Sequence, residues 1–551
     1  MKKFRWQILI VLITALVVGL ILFFQQSQVK PETASTPSPI RGGIYTEALV
    51  GHFLRLNPIL DHFNQADRDI DRLLFSSLVR FDSNGLPVAD LAESWTISTD
   101  GTVFTFNLRL DAVWHDGVPV TAQDVAFTVS LMQSGSDLIP EDLRSFWSQI
   151  SVNPISDSSL EFALPIAFSP FLDYLSFQIL PSHLLGNLSM EELVDHPFNL
   201  APIGSGPYKF DSLETEDGAI LGVNLVSNGY YFEGRPFIDE IRFRYYPDES
   251  SALDAYQEGA VDGVGSVALV DLKRVLNQTG LNLYSSRLPR LSVVFLNLRN
   301  ASASILQDID FRKALMAGVN RQRIINDVYQ GQAVLAQGPI MPGNWAFFEA
   351  QEAYRYDTDG ARQILAGMGL SLDANGQLSL DGAPIELTLA IQEDSQHLAI
   401  GQMLQKNWQN LGVKVELEAK PYEQLVSDLE ARSYEMVLID VDLSETPDPD
   451  PYQFWAESQI ESGQNYAQWQ NTTASTYLEQ ARQTSNIELR KKLYRNFQVL
   501  FDEELPSLPL FYSVYNYAVK DSIKDIRFGP IYNPADRFNN VHLWYILIGV
   551  E

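Results

Sequence analysis

The chain has 551 residues, of which 46% are hydrophobic and 20% are charged, which is enough to build more than one buried core. Asp and Glu outnumber Lys and Arg by 69 to 39, and the formal net charge of −30 argues against nucleic acid or an anionic lipid surface as a partner, because both need clustered cations. The absence of cysteine excludes disulfides, cysteine-based zinc sites and thiol nucleophiles.

The first predicted element is a hydrophobic segment near the N-terminus. Ile8–Phe24 carries no charge, and three cations precede it. The segment reaches the ~17 residues that a membrane-spanning helix needs, and it ends in Phe23-Phe24-Gln25-Gln26, without the small residues that a signal peptidase recognises. We therefore predict that residues 1–25 are a cytoplasmic flank and a transmembrane anchor, and that the remainder is extracytoplasmic. A cleaved signal segment, which would leave a secreted or periplasmic protein, is the alternative.

A tether and a folded body are predicted to follow. Residues 26–40 are polar, contain three prolines and show no apolar periodicity, as is typical of a linker. The body is predicted to begin at Arg41. Its first half is predicted to contain strands at Gly43–Val50, Val103–Leu110, Val223–Val226 and Ile241–Tyr246 and a helix at Asp69–Val79.

From about residue 300, helices and strands are predicted to alternate. The predicted order is a helix between Asn320 and Gly331, a helix at Ser395–Leu411, a strand at Val413–Leu417, a helix at Tyr422–Arg432 and a strand at Met436–Asp440. This order is typical of an α/β lobe. The C-terminal run Trp544–Val550 is too short to span a membrane and is predicted to be a buried strand.

The sequence contains no recognisable catalytic or metal-binding pattern. None of the seven histidines has the helical i, i+4 spacing of a zinc protease, and there is no GxSxG elbow or phosphate-binding loop. His115-Asp-Gly117 and Gly204-Ser-Gly-Pro207 are predicted to be turns. Carboxylate pairs such as Asp448 and Asp450 are expected by chance among 69 acids. We therefore predict no catalytic residue, no metal and no cofactor, with a secreted or anchored hydrolase acting on peptides or sugars as the alternative.

Six short motifs follow one another along the body. They are Leu56-Asn-Pro58, Leu91-Ala-Glu-Ser-Trp95 with Phe104-Thr-Phe106, Trp114-His-Asp-Gly117 with Asp124-Val125, Ile203-Gly-Ser-Gly-Pro-Tyr-Lys209, Phe311-Arg-Lys-Ala-Leu315 with Asn320-Arg321, and Tyr356-Asp357 with Ala361 and Leu365. Together they resemble the extracellular solute-binding proteins of the peptide/nickel type (family five) that serve ABC importers. Phe311 and Asn320 depart from that family's pattern.

The resemblance implies an α/β, bilobal fold of the periplasmic-binding-protein type (class II), with an extra subdomain and a two-segment hinge that closes on a ligand. Lobe I would comprise residues 41–290 and 513–551, including a strand-rich subdomain near 86–200, and lobe II would comprise residues 295–510. The two hinge segments would be Arg290–Phe295 and Leu508–Tyr512, which are apolar and lack helical periodicity.

The resemblance also implies the function and the partners. The protein would be the substrate-binding component of an ABC importer, a monomer that captures a small solute and delivers it to permease subunits in the membrane. Short peptides are the first expectation for the solute. Nickel complexes, oligosaccharides and opines are bound by other members of the family, and a solute-sensing ectodomain is a further alternative.

Peptide-binding members of the family pair the peptide α-amino group with a carboxylate in the segment that corresponds to Asp440–Trp455. Matching the family's Asp-Pro-x-x-Phe to Asp450-Pro-Tyr-Gln-Phe454 puts that carboxylate near Pro447, so its role would pass to a neighbouring aspartate. The loop follows a predicted strand, and ligands of α/β lobes bind beyond the carboxyl ends of strands. Aromatic side chains near the predicted cleft edges can wall in a ligand. The candidate ligand-binding residues are Asp442, Asp448, Asp450, Trp455, Tyr284, Trp345, Tyr512 and Tyr515.

Overall fold

The structure, a computed structural model, describes residues 39–134, 136–349, 354–380, 382–443 and 447–547. The predicted anchor at residues 1–25 and most of the predicted tether lie outside this range. Within the described ranges, no helix combines the length and the hydrophobicity that crossing a membrane requires. Arg41–Ile546 forms one compact unit.

The first half of the unit alternates strands with short helices. The strands are β1 (Ile44–Val50), β2 (Val79–Phe81), β3 (Pro87–Ala89), β4 (Ala92–Ile97), β5 (Val103–Leu108), β6 (Ser151–Ser156), β7 (Ser159–Ala163), β8 (Tyr208–Glu216), β9 (Ala219–Ser227), β10 (Glu240–Tyr246) and β11 (Gly263–Val264). The α-helices are α1 (Gln65–Leu74), α2 (Ala122–Met132), α3 (Glu141–Trp147), α4 (Ser182–Leu185), α5 (Met190–Val194), α6 (Glu249–Gln257) and α7 (Leu272–Leu276).

The second half follows the predicted α/β alternation. Its strands are β12 (Leu281–Leu296), β13 (Ala333–Leu335), β14 (Ser371–Leu372), β15 (Leu378–Leu380), β16 (Ala383–Pro384), β17 (Glu386–Gln392), β18 (Lys414–Lys420), β19 (Met436–Asp442), β20 (Ser507–Lys520), β21 (Ile523–Lys524) and β22 (Tyr545–Ile546). Its α-helices are α8 (Ile309–Ala317), α9 (Arg321–Tyr329), α10 (Thr358–Gly367), α11 (Ser395–Gln409), α12 (Tyr422–Glu430), α13 (Tyr452–Trp455), α14 (Thr472–Gln483) and α15 (Ile487–Glu504).

One mixed sheet runs through the unit in the order β18-β17-β19-β12-β20-β11-β1-β10-β9-β8, and β13 pairs with β20. β1 is parallel to both of its neighbours, whereas β12 is antiparallel to β19 and to β20. A separate antiparallel sheet has the order β4-β5-β7-β6, in which the alternating residues of the predicted strand at Val103–Leu110 bury Phe104 and Phe106.

Buried side chains form separate cores at the two ends of this sheet. One core is built from β1, α1, the β4–β7 sheet and the C-terminal Trp544, and we call the part of the unit around it lobe I. The part around the β17–β19–β12 strands is lobe II, and it has a cluster of buried side chains on each sheet face. Val293 and Phe295 belong to one of these clusters and Val294 and Leu296 to the other, since successive side chains of a strand point to opposite faces.

Two long strands connect the lobes. β12 and β20 pair antiparallel along almost their whole length and contribute side chains to the cores of both lobes. The register of this pairing shifts between Arg287 and Leu291. The predicted crossing segments Arg290–Phe295 and Leu508–Tyr512 lie within these strands, next to the shift.

Within the described part of the predicted C-terminal strand Trp544–Val550, the strand covers Tyr545–Ile546 and pairs with Ile523 and Lys524. The deeply buried residue of this segment is Trp544, whose indole N–H donates to the Asn540 side chain at 3.0 Å. Residues 548–550 lie outside the described ranges.

The two predicted turns, around His115 and Gly204, are joined by hydrogen bonds. The backbone N–H of Gly204 donates to His115 Nδ1 at 3.1 Å, and His115 Nε2 lies 3.2 Å from the Gly206 carbonyl oxygen. A Cβ atom at Gly204 would lie 1.8 Å from the Leu74 carbonyl oxygen, so only glycine permits this approach. Burial lowers the pKa of His115 to about 4, which keeps the ring neutral. The histidine is therefore structural, as the sequence predicted.

Candidate ligand-binding cavity

A cavity with a volume of about 940 Å³ is lined mostly by lobe I. Its wall includes one side of α1, the loop that precedes α1, the start of α3 and the loop that follows β21. Pro447, from the loop after β19, brings lobe II to its edge. Small-molecule sites typically occupy roughly 300–1,000 Å³, so this volume lies at the upper end of that range.

Helix α1 gives the cavity a positively charged wall. The Asn64 side chain caps the helix by accepting from the Ala66 N–H. Arg68 and Arg72 are one turn apart on this helix and therefore share a face, and both line the cavity. Since the cap fixes where the helix begins, it also fixes which residues face the cavity.

The cations of the wall are matched by carboxylates. Arg68 lies 3.5 Å from Asp61, and Arg72 lies 2.6 Å from Asp536. Burial raises the pKa of Asp61 to about 7, with Arg68 opposing the rise. Arg80 pairs through both of its terminal nitrogens with Glu233. Three of the arginines that line the cavity are thus paired with carboxylates, and the lining offers both hydrogen-bond donors and acceptors to a ligand.

The loop before α1 adds an apolar edge. Phe63 lines the cavity while 87% of its surface is exposed, so its ring is available to a ligand. Burial lowers the pKa of the neighbouring His62 to about 4, so this ring is neutral at physiological pH. Sequence analysis did not single out either residue. The only sequence feature that could have indicated a role in ligand binding is their position in a loop next to a helix cap.

A smaller cavity of about 70 Å³ lies where the two lobes meet. Lobe II and the β12 strand contribute Met341, Asn344 and Pro289, and lobe I contributes Pro170. The small and the large cavity share three lining residues: Tyr174, Pro447 and Tyr532. The two cavities therefore adjoin each other at the junction of the lobes.

The three predicted aspartates all line the small cavity. Asp448 is buried and forms an ion pair with Arg490 at 2.7 Å, and Asp450 forms one with Arg482 at 2.7 Å. Burial raises the pKa of Asp450, and Arg482 opposes the rise. Asp442 has a half-exposed side chain, 3.5 Å from Arg290. Asp448 and Asp450 are therefore not solvated, because each is largely buried beside an arginine of the chain itself.

The predicted aromatic candidates lie elsewhere. Trp455 is buried beside Phe295 and Phe501, with ring centroids 5.6 and 4.8 Å away. The Tyr512 hydroxyl is also buried and donates to the Gly338 carbonyl oxygen at 3.0 Å. Sequence patterns do not separate an aromatic side chain of the core from one at a cleft, and these two belong to the core.

The other three aromatic candidates also pack against the protein itself. The Tyr515 hydroxyl donates to the Gly265 carbonyl oxygen, and Tyr284 packs against Phe528 at 5.7 Å. Trp345 is half-buried under the guanidinium group of Arg490, 5.0 Å from its ring. Among the described residues, none of the five aromatic candidates lines either cavity.

Two lobes that are joined by paired strands, with adjoining cavities at their junction, define a solute-binding protein of the periplasmic-binding-protein type. A family model described as bacterial extracellular solute-binding proteins, family 5 Middle, matches residues 87–463. The chain belongs to family 5 of the bacterial extracellular solute-binding proteins. The predicted family and the α/β fold are confirmed, and members of this family bind solutes rather than act as enzymes.

Relatives in sequence and in structure agree with this assignment. The chain is 26% identical over 520 residues to the oligopeptide-binding protein AppA of Bacillus subtilis (strain 168), with 93% of each chain covered. The solved structure of that protein in complex with a nonapeptide matches with a TM-score of 0.66 and 25% identity, over 93% of this chain and 100% of the other. NikZ from Campylobacter jejuni in complex with Ni(L-His) matches with a TM-score of 0.67 and 26% identity, over 91% of this chain and 99% of the other.

Proposed function

We propose that this protein is the substrate-binding component of an ABC importer and that its ligands are peptides. The observation that carries the proposal is the cavity of about 940 Å³, with its paired charges and the exposed ring of Phe63 at its edge. A peptide presents a regular series of donors and acceptors together with apolar side chains, which matches such a lining. The peptide-binding relative from Bacillus subtilis supports the same ligand class.

Capture by lobe closure is part of the proposal. Lobe I would comprise residues 41–290 and 513–551 and lobe II residues 295–510, and the hinge would lie at the register shift between β12 and β20. A ligand that contacts both lobes stabilises the closed state, because those contacts exist only in that state. The closed monomer would then deliver the peptide to permease subunits in the membrane.

Ligand class can be tested by unfolding the full-length, detergent-solubilised protein in the presence of candidate ligands. We expect a random nonapeptide pool to stabilise the protein, by about 2.7 kcal/mol for a component at 100 times its dissociation constant. The matched control is the same amino acids supplied free, which should have no effect. Stabilisation by a nickel–histidine complex or an oligosaccharide, without any by peptides, would contradict the peptide proposal.

Residues 8–24 are further proposed to hold the protein at the membrane. The charge-free segment behind three cations supports an anchor. We expect mass spectrometry of the protein extracted from membranes by detergent to recover the intact N-terminal peptide. A soluble form that starts near residue 26 would instead indicate a cleaved signal.

A further inference from the structure

The loop after β19 meets lobe I at a buried carboxyl group that sequence analysis did not single out. This group belongs to Asp173, in the 3₁₀-helix Ser169–Leu175. Phe171 and Leu175 of the same helix are fully buried in the lobe I core and hold it in place. Asp173 is 4% exposed and lines the large cavity, while the adjacent Tyr174 lines both cavities.

Asp173 differs from the buried acids of the neighbouring loop in having no ion pair among the described residues. The nearby guanidinium of Arg490 is engaged by Asp448 at 2.7 Å, and Arg482 is engaged by Asp450. Within the described part of the chain, Asp173 Oδ1 also has no hydrogen-bond partner. The carboxyl group accepts from the Asp448 backbone N–H, but its Oδ1 atom is buried without a donor or a cation, which is costly.

The electrostatic surroundings agree with this geometry. Burial, and then the nearby carboxylate of Asp448, raise the pKa of Asp173 well above its usual value, and Arg490 only partly opposes them. The neutral form of this carboxyl group is therefore more favoured than in an ordinary aspartate. A cationic group that enters the cavity would restore its charge and provide the missing partner for Oδ1.

We propose that Asp173 is the residue that receives a cationic group of the ligand, either a peptide α-ammonium or the charged side chain of a lysine or arginine. The inference rests on the proposed peptide function and deepens it, because it moves the acceptor from the predicted loop of lobe II to lobe I. Asp448, from the opposite lobe, acts electrostatically on the same carboxyl group.

The test replaces the Asp173 side chain and varies the positive charges of the peptides that are offered to the protein. The full-length protein and its Asp173→Asn variant are incubated with three random nonapeptide libraries, and the retained peptides are quantified by mass spectrometry. The first library lacks Lys and Arg and has free N-termini, the second is the same library acetylated, and the third is acetylated but contains Lys and Arg. Asn is neutral and nearly isosteric with the protonated acid, so we expect the variant to unfold at the temperature of the wild type.

If the cation is the α-ammonium, the wild type is expected to retain the first library, which has free N-termini. If the cation is a side chain, it is expected to retain the third library, which contains Lys and Arg. The second library carries neither cation and should be retained poorly. Asp173→Asn should weaken that retention roughly ten- to hundredfold, as for loss of a charge-assisted hydrogen bond. Asp239→Asn removes an exposed acid that does not line the cavity and serves as the control, with retention expected to stay within about twofold.

The outcomes separate this inference from the proposed function. Equal retention by Asp173→Asn and the wild type would overturn the role of Asp173 and leave peptide binding intact. Undiminished retention of the second library by the wild type would do the same, because no cation would then be needed. An equal loss of retention in Asp239→Asn would overturn the specific contact, because the effect would then come from net charge alone. A wild type that retains none of the libraries would overturn the peptide function itself.

Discussion

Replacing Arg537 by leucine is expected to lower the free energy of unfolding by about 3–5 kcal/mol, the typical loss when one partner of a buried ion pair is removed. The Arg537 guanidinium is fully buried and binds two carboxylates, Glu47 of β1 at 2.6 Å and Asp69 of α1 at 2.7 Å. Glu47 also accepts from the Tyr45 hydroxyl at 2.5 Å and from the Tyr517 hydroxyl at 3.0 Å. Leucine would leave both acids buried without a cation.

Denaturant unfolding of the full-length protein measures this loss. The matched control is Arg235→Leu, which removes a solvent-exposed pair with Asp239 and should change stability by no more than about 0.5 kcal/mol. Burial raises the pKa of Glu47 even with Arg537 present, so this carboxyl group takes up a proton at a higher pH than an ordinary glutamate does. The variant should therefore recover part of the loss as the pH falls and this carboxyl group takes up a proton. Similar losses in the two variants would contradict the assignment.

The second large effect concerns the loop after β19. Asp448→Ala is expected to destabilise the protein by about 3 kcal/mol or more, because it leaves the guanidinium of Arg490 buried without its carboxylate. The two side chains are 2% and 6% exposed and 2.7 Å apart. Arg490 also donates to the Tyr494 hydroxyl at 3.0 Å and lies 5.0 Å from the ring of Trp345, so its position is fixed from several sides.

Asp442→Ala is the matched control, since it removes the aspartate at the end of β19, just before the loop that contains Asp448. The Asp442 side chain is 54% exposed and 3.5 Å from Arg290, and we expect a change within about 0.5 kcal/mol. Thermal or denaturant unfolding without ligand compares the two variants. If Asp448→Ala kept its stability but lost peptide binding, Asp448 would be a ligand contact, as sequence analysis expected, and its role in holding the loop would be disproved.

Local patterns predicted the elements that build the lobes. The strand at Val103–Leu110 and the helix at Ser395–Leu411 are present as β5 and α11, and Asn320 caps α9 by accepting from the Arg323 N–H. These features depend on periodicity and capping within a few residues, which is why they can be recognised without the tertiary structure. The start of α1 was missed by four residues, although Asn64 was a suitable cap.

By itself, the sequence determined the family, the α/β class and the absence of a recognisable catalytic pattern. The roles of the acids were decided only by the tertiary structure. Whether Asp448 binds a ligand or Arg490 depends on how α15 packs against the loop after β19. The local sequence does not distinguish this aspartate among the 69 acidic residues of the chain. Asp173 stands out only in the folded protein, where it is buried near Asp448 and forms no ion pair among the described residues. The physical reason is that burial and long-range pairing, and not residue type, set the pKa of a carboxyl group.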